Sequence, residues 1–137
     1  AVSRQEFWEM LKRLKAQGIT ILVSTPYMDE AGMCDRVALL QNGRILETNS
    51  PKSIMERFNK PIYSVSNDNM YQLLTYCRQF PEVASVYPFG DELHITFSES
   101  SVNPAHLKGF LVSKGIPDAN IKQIQPDIED CFMELST

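Results

Sequence analysis

The sequence predicts an α/β part followed by an α+β part. A nearly continuous apolar, β-branched run at residues 19–23 follows an amphipathic helical pattern, as in the helix-strand alternation of α/β proteins. Residues 61–137 instead show separate short strand and helix patterns. A polar segment with a proline, Phe58-Asn59-Lys60-Pro61, lies between the two and is interpreted as a linker. We therefore divide the chain into residues 1–60 and residues 61–137.

The first part begins with a signal for a helix. Ser3 and Glu6 match the capping box, in which each side chain satisfies a backbone N–H of the first turn. Gly18 is placed to end this helix in a left-handed conformation. Residues 19–23 then predict a strand covered on both faces of a parallel sheet. The helix is expected to bury one apolar face, formed by Phe7, Met10, Leu11 and Leu14.

Turn and cap residues predict the rest of the first part. A short helix is expected over residues 28–33. Asn42-Gly43 is a strong hairpin signal between strands at residues 37–40 and 44–47. Ser50-Pro51 indicates an N-cap followed by proline at the first helical position, which predicts a helix that closes this part.

Four strands and three helices are predicted in the second part. Asp68 or Asn69 caps the first helix, Asn103-Pro104 starts the second, and Asp127 caps the last. The strands are expected at residues 62–66, 83–89, 93–97 and 121–125. Up to the last strand the order is β-α-β-β-α-β, which is the order of the ferredoxin-like split βαβ fold.

The polar residues of the second part give no signal of a ligand site. His94 alternates with the apolar residues Leu93 and Ile95, so we expect it on a solvated face of its strand. We find no convergent polar cluster in residues 61–126 that indicates a specific small molecule.

Composition excludes several functional classes. The 137 residues carry a formal net charge of −4, which argues against a nucleic-acid partner and against a polybasic membrane-surface protein. No apolar run approaches the roughly 18 residues of a membrane span, and the start of the chain shows no signal peptide pattern. With 3 cysteines far apart and 2 histidines, a zinc cluster or other metal site is not expected, and a reduced, cytosolic protein is the simplest interpretation.

The chain contains no motif of a complete enzyme. Neither the phosphate-binding pattern G-x-x-x-x-G-K-[ST] nor G-x-G-x-x-G occurs, and no nucleophile pattern is present. We therefore expect the chain alone to bind no cofactor.

Several motif pieces nevertheless occur in order. Residues 18–31 read G-I-T-I-L-V-S-T-P-Y-M-D-E-A, followed by C-D-R at residues 34–36 and N-G-R at residues 42–44. Together they resemble the region after the Walker B motif in ATP-binding subunits of ABC transporters, where a strand leads into the switch-histidine loop, S-T-H-x-M-D-E-A. Ala1-Val2-Ser3-Arg4 resembles the segment after the D-loop aspartate. Residues 126–132, P-D-I-E-D-C-F, are similar to the P-S-L-E-D-V-F ending of drug- and lipid-export subunits.

This resemblance implies that the chain is the C-terminal part of such a subunit: the end of a P-loop nucleotide-binding domain at residues 1–60, then a ferredoxin-like module. The intact parent would bind ATP and Mg²⁺ and couple hydrolysis to export. Its partners would be a transmembrane subunit and a second ATP-binding subunit, at the cytoplasmic face of a membrane. The Walker A, signature and Walker B motifs are not in this chain.

The resemblance also marks the switch-loop region. Its catalytic histidine, which contacts the γ-phosphate, aligns with Pro26, which has neither a side-chain donor nor a backbone N–H. The site is then catalytically weak, or another group substitutes, or the subunit pairs with a different active one. The flanking switch-loop residues are Thr25, Tyr27, Asp29 and Glu30.

An alternative is a stand-alone regulatory or dimerisation module without an ATPase role. For the chain as a fragment we expect self-association, or an arrangement of residues 1–60 that differs from that in the parent, because the apolar strand at residues 19–23 would lack its neighbours. We also expect the last helix, from Asp127 to Leu135, to pack back on the first part.

Overall fold

A computed structural model describes residues 3–137. Ala1 and Val2, which belong to the resemblance at the start of the chain, lie outside the described residues. The helices are α1 (Arg4–Ala16), α2 (Met28–Ala31), α3 (Pro51–Arg57), α4 (Met70–Gln79), α5 (Pro104–Ser113) and α6 (Ile128–Leu135). The strands are β1 (Val37–Gln41), β2 (Arg44–Asn49), β3 (Ile62–Ser66), β4 (Val83–Phe89), β5 (Glu92–Phe97) and β6 (Asn120–Ile124).

Helix α1 has the predicted start, but only part of its predicted apolar face is covered. Ser3 caps it with both hydrogen bonds of a capping box to Glu6. Phe7 and Met10 are 43% and 41% exposed, whereas Trp8 is buried. Leu11 and Leu14 of the predicted face are half-buried, so the prediction fails at Phe7 and Met10, behind which the described residues place no sheet.

Residues 19–25 form neither a helix nor a strand, which contradicts the strand predicted at residues 19–23. Gly18 has a φ of 88° and turns the chain out of α1, as predicted. Leu22 is 98% exposed. Within residues 3–137 no strand lies beside this segment to accept its backbone hydrogen bonds, so strand propensity alone does not produce a strand.

Strands β1 and β2 form a separate antiparallel hairpin. Asn42 and Gly43 both have positive φ, 50° and 74°, as a two-residue turn of the primed type requires. Helix α3 follows directly, with Ser50 as its N-cap and Pro51 at its start, so these predictions are confirmed.

The other four strands form one antiparallel sheet in the order β4-β5-β3-β6. Helices α4 and α5 follow the first and third strands of this part in sequence, and they supply buried residues to one core with the sheet. The fully buried members of this core are Val65, Leu73, Cys77, Leu93, Ile95, Leu107 and Leu111.

Helix α6 contributes to a second apolar cluster, together with residues of the first part. Its Ile128 and Cys131 pack with Ala31 of α2 and Ile54 of α3. The expectation that the last helix packs back on the first part is therefore confirmed. None of the helices within residues 3–137 has the length and apolar character needed to cross a bilayer.

Candidate functional site

The chain bends at Pro26 and enters α2, which carries Asp29 and Glu30. The Thr25 hydroxyl donates a hydrogen bond to Glu30 Oε2 at 2.5 Å, and Thr25 Oγ1 accepts one from the Tyr27 backbone N–H at 3.1 Å. Pro26 is exposed at the bend. The Thr25 side chain thus hydrogen bonds to residues on the other side of Pro26 and holds the bend.

Arg4 at the start of α1 holds the other side of this segment. Its Nε donates to Glu30 Oε1 at 2.8 Å, and its Nη2 lies 3.1 and 3.0 Å from the two carboxylate oxygens of Asp29. The guanidinium carbon also lies 4.5 Å from the centroid of the Tyr27 ring, within the range of a cation–π contact. One guanidinium therefore contacts three residues of the switch-loop region.

The electrostatics of this cluster favour its ionised form. Hydrogen bonds from Thr25 and then Arg4 lower the pKa of Glu30 below its ordinary value of 4.5, against the opposing effect of burial. Glu30 and Asp29 in turn raise the pKa of Arg4. The Trp8 side chain, whose Nε1 is buried without a hydrogen-bond partner in residues 3–137, adds a smaller lowering of the Glu30 pKa.

The structure brings together the predicted residues Thr25, Tyr27, Asp29 and Glu30. It adds Arg4, which the sequence analysis did not single out. The available signal was an arginine in the first turn of one helix and a D-E pair in the first turn of the next. These residues are 25 to 26 positions apart, so the sequence alone does not indicate that they are in contact.

These residues do not fit a complete site for ATP and Mg²⁺. Both carboxylates are engaged by Arg4, and Pro26 offers no donor. No group of three or more histidine, cysteine or acidic side chains in residues 3–137 is placed to hold a metal ion. The cluster instead fixes the course of a loop.

A second polar cluster, which the sequence analysis missed, lies between β5 and α6. His94 was predicted on a solvated face, but its side chain is only 9% exposed. Its Nδ1 lies 2.7 Å from Asp130 Oδ1, its Nε2 lies 3.4 Å from Glu92 Oε1, and its ring stacks on Phe89 with centroids 4.0 Å apart. The prediction was wrong because α6 supplies a partner for that face of the sheet.

The same cluster extends to Ser64, whose hydroxyl hydrogen bonds to Glu92. This bond is the main cause of a lowered pKa at Glu92. Burial raises the pKa of Asp130, although hydrogen bonds from the Asp127 backbone and from His94 oppose the shift. Residues 61–126 thus supply Ser64, Glu92 and His94 to this polar cluster, and α6 adds Asp130.

Sequence comparison places the chain among ATP-binding proteins of ABC transporters, to which it is related over nearly its whole length. The resemblance noted from the motifs is confirmed. No protein-family model matches the chain.

Three relatives illustrate the match. Nod factor export ATP-binding protein I of Neorhizobium galegae is 31% identical over 136 residues, which are 98% of this chain and 37% of that protein. The protein of the same name from Rhizobium sp. (strain N33) is 28% identical over 138 residues, 98% of this chain and 42% of the relative. Probable multidrug ABC transporter ATP-binding protein YbhF of Escherichia coli (strain K12) is 27% identical over 136 residues, 98% of this chain and 23% of the relative. The chain thus spans 23% to 42% of the length of these relatives.

Proposed function

We propose that the chain is the C-terminal part of the ATP-binding subunit of an ABC exporter. The observation that carries this proposal is the match of 98% of the chain to relatives named for multidrug and Nod factor export. The intact subunit would bind ATP and Mg²⁺ through motifs outside residues 1–137 and couple hydrolysis to export.

In this proposal residues 1–60 are the end of the nucleotide-binding domain and residues 61–137 are a ferredoxin-like module with a final helix. The β-α-β-β-α-β order and the antiparallel strand order β4-β5-β3-β6 support the second assignment. The intact subunit would work with a transmembrane subunit and a second ATP-binding subunit, at the cytoplasmic face of the membrane.

Pro26 takes the place of the catalytic switch histidine, and Thr25, Tyr27, Asp29 and Glu30 form the switch-loop region. The ordered bend around Pro26 supports this assignment, because Arg4 and Thr25 hold it in one course. Proline itself contributes no group to the γ-phosphate, so the ATP site that contains it is slow.

Pro26→His in the full-length subunit tests this role. The substitution is expected to raise the rate of phosphate release with little change in KM, since one positioned polar group contributes about 10²–10⁴-fold. Pro117→His, at another exposed proline, is the matched control and should leave the rate unchanged. A wild-type rate that Pro26→His leaves unchanged or lowers would show that another residue has taken over the role.

The competing function is that of a stand-alone interaction module. Titration calorimetry of Mg-ATP into the chain alone and into the full-length subunit separates the two. We expect no binding to the chain alone and tight binding to the full-length subunit. Tight binding to residues 1–137 alone would contradict the proposal, as would a full-length protein that binds no ATP.

Self-association of the chain is part of the proposal. Ile19, Leu22 and Tyr27 are 47%, 98% and 55% exposed, and residues 19–25 pair with no strand in residues 3–137. A second copy can cover this segment by strand pairing. Sedimentation equilibrium should show a dimer for the wild type and a shift toward monomer for Leu22→Lys, with Leu40→Lys, at an exposed position of β1, as control.

A further inference from the structure

We propose that His94 is a positioning residue for the switch loop, which it reaches through Asp130 and helix α6. This inference rests on the proposed function for the importance of the loop, but the contacts that carry it are independent of ATP. They form three successive links between the four-stranded sheet and Pro26.

The first link is a shared carboxylate. Asp130 Oδ2 accepts the Asp127 backbone N–H at 2.9 Å, which is half of the capping box that starts α6. Asp130 Oδ1 lies 2.7 Å from His94 Nδ1. The group that fixes the start of the helix is therefore also the group that fixes the helix to the sheet.

The second link is apolar. Ile128 and Cys131, adjacent in the chain to the anchored region, are 4% and 3% exposed and pack in one cluster with Ala31 of α2. A helix of four residues such as α2 is too short to be stable alone and depends on this packing. The position of α6 therefore determines the position of α2.

The third link leads from α2 to the loop. Glu30 precedes Ala31, and its carboxylate receives the hydrogen bonds of Thr25 and Arg4. Thr25 directly precedes Pro26. A displacement of α2 thus moves the acceptor that holds the bend closed.

The burial of His94 shows that its imidazole is not merely a polar group facing water. Both His94 and Asp130 are buried, at 7% and 4% residue exposure, and a carboxylate oxygen left without a donor at that depth is costly. Loss of the imidazole therefore favours movement of Asp130, and α6 with it, toward water.

Amide hydrogen exchange measured by NMR on residues 1–137 tests the proposal. The reporters are the amides of Glu30, Ala31 and Gly32, which donate to carbonyls at the start of α2, and those of Val65 and Ile95 in the sheet. His94→Phe keeps a ring for stacking on Phe89 but removes the hydrogen bond. It should speed exchange at the α2 reporters about tenfold or more, because a hydrogen bond to a charged group is lost, while the sheet reporters keep their rates.

Two further variants make the result specific. His94→Asn places an amide nitrogen near the position of Nδ1 and should return the α2 rates close to wild type. His106→Phe, at the other histidine, which is exposed and pairs with Glu82, should change nothing. Ile128→Ala breaks the second link and should speed the α2 reporters even if His94→Phe does not fold.

The proposal is overturned if α2 exchange in His94→Phe matches that in His106→Phe, if His94→Asn gives no rescue, or if Ile128→Ala leaves α2 protected. Equal acceleration at Val65 and Ile95 would also overturn it, since His94 would then act only on overall stability. None of these outcomes bears on ATP binding by the full-length subunit, so failure here leaves the proposed function standing.

Discussion

Arg4 and Glu30 lie 26 residues apart in the chain, and a 2.8 Å hydrogen bond from Arg4 Nε to Glu30 Oε1 joins the starts of two helices. Thr25 donates to the other oxygen of the same carboxylate. Glu30 is therefore the residue on which the course of the loop around Pro26 depends, and its ionisation state decides whether the loop is held.

The first prediction concerns pH. Because the folded state lowers the pKa of Glu30 below 4.5, ionised Glu30 stabilises the fold above that pH, and this contribution is lost as the pH falls through the lowered value. A ¹³C NMR titration of the Glu30 carboxyl should show a midpoint below 4.5. Thr25→Val and Arg4→Gln should each raise that midpoint, and a midpoint that neither variant moves would contradict the assignment.

The second prediction concerns the contribution of the Thr25 hydroxyl to thermal stability, with another threonine of the same segment as the control. Thr25→Val keeps the side-chain shape but removes the donor to Glu30, and should lower Tm by about 3–6 °C. Thr20→Val, at an exposed position of the same irregular segment, should lower it far less. Thermal unfolding followed by circular dichroism at pH 7 measures both, and equal losses would show that the hydroxyl is not used.

The third prediction tests the cluster shared by α3 and α6. Ile54 is 3% exposed and packs with Ile128, so Ile54→Ala should cost about 2–5 kcal/mol in the free energy of unfolding. Lys52→Ala on the exposed side of α3 should cost only a few tenths of a kcal/mol, since its ion pair with Glu56 is exposed. Urea denaturation gives both values. A small loss for Ile54→Ala would mean that α6 is not packed on α3.

The fourth prediction concerns thiol reactivity. Burial raises the pKa of Cys77 to about 12 and that of Cys131 to about 11, whereas Cys34 is only partly buried. At pH 8 a disulfide reagent should modify the Cys34 thiol of the native protein before the other two thiols. Cys34→Ser should remove this first phase of the reaction. Peptide mapping that found Cys77 modified first would contradict the packing of α4 on the sheet.

Local signals in the sequence predicted most helix and strand boundaries. The capping box at Ser3, the Asn42-Gly43 turn and the cap at Ser50 act within a few residues, so their sequence patterns are sufficient. The strands and helices of the second part also fall within one or two residues of expectation, with β6 at Asn120–Ile124 rather than 121–125.

Features that depend on distant partners were not predictable in this way. The run at residues 19–23 has strand propensity, but no neighbouring strand lies beside it in the described residues. His94 alternates with apolar residues as an exposed residue does, yet α6 brings Asp130 over it from 36 positions away. Arg4 was missed for the same reason, because the sequence does not reveal which helix starts meet in space.

Phe58, where the chain leaves α3, and Ile128, where it enters α6, pack against the same apolar cluster. The chain therefore leaves this cluster for the four-stranded sheet and returns to it at nearly the same place. Lys60 and Glu134 form an ion pair between the two ends. Because these two ends lie close together, changes in the unit that keep the His94–Asp130 contact need not separate α3 from α6. The cluster of α2, α3 and α6 can therefore stay unchanged while the parts of the four-stranded unit remote from His94 diverge.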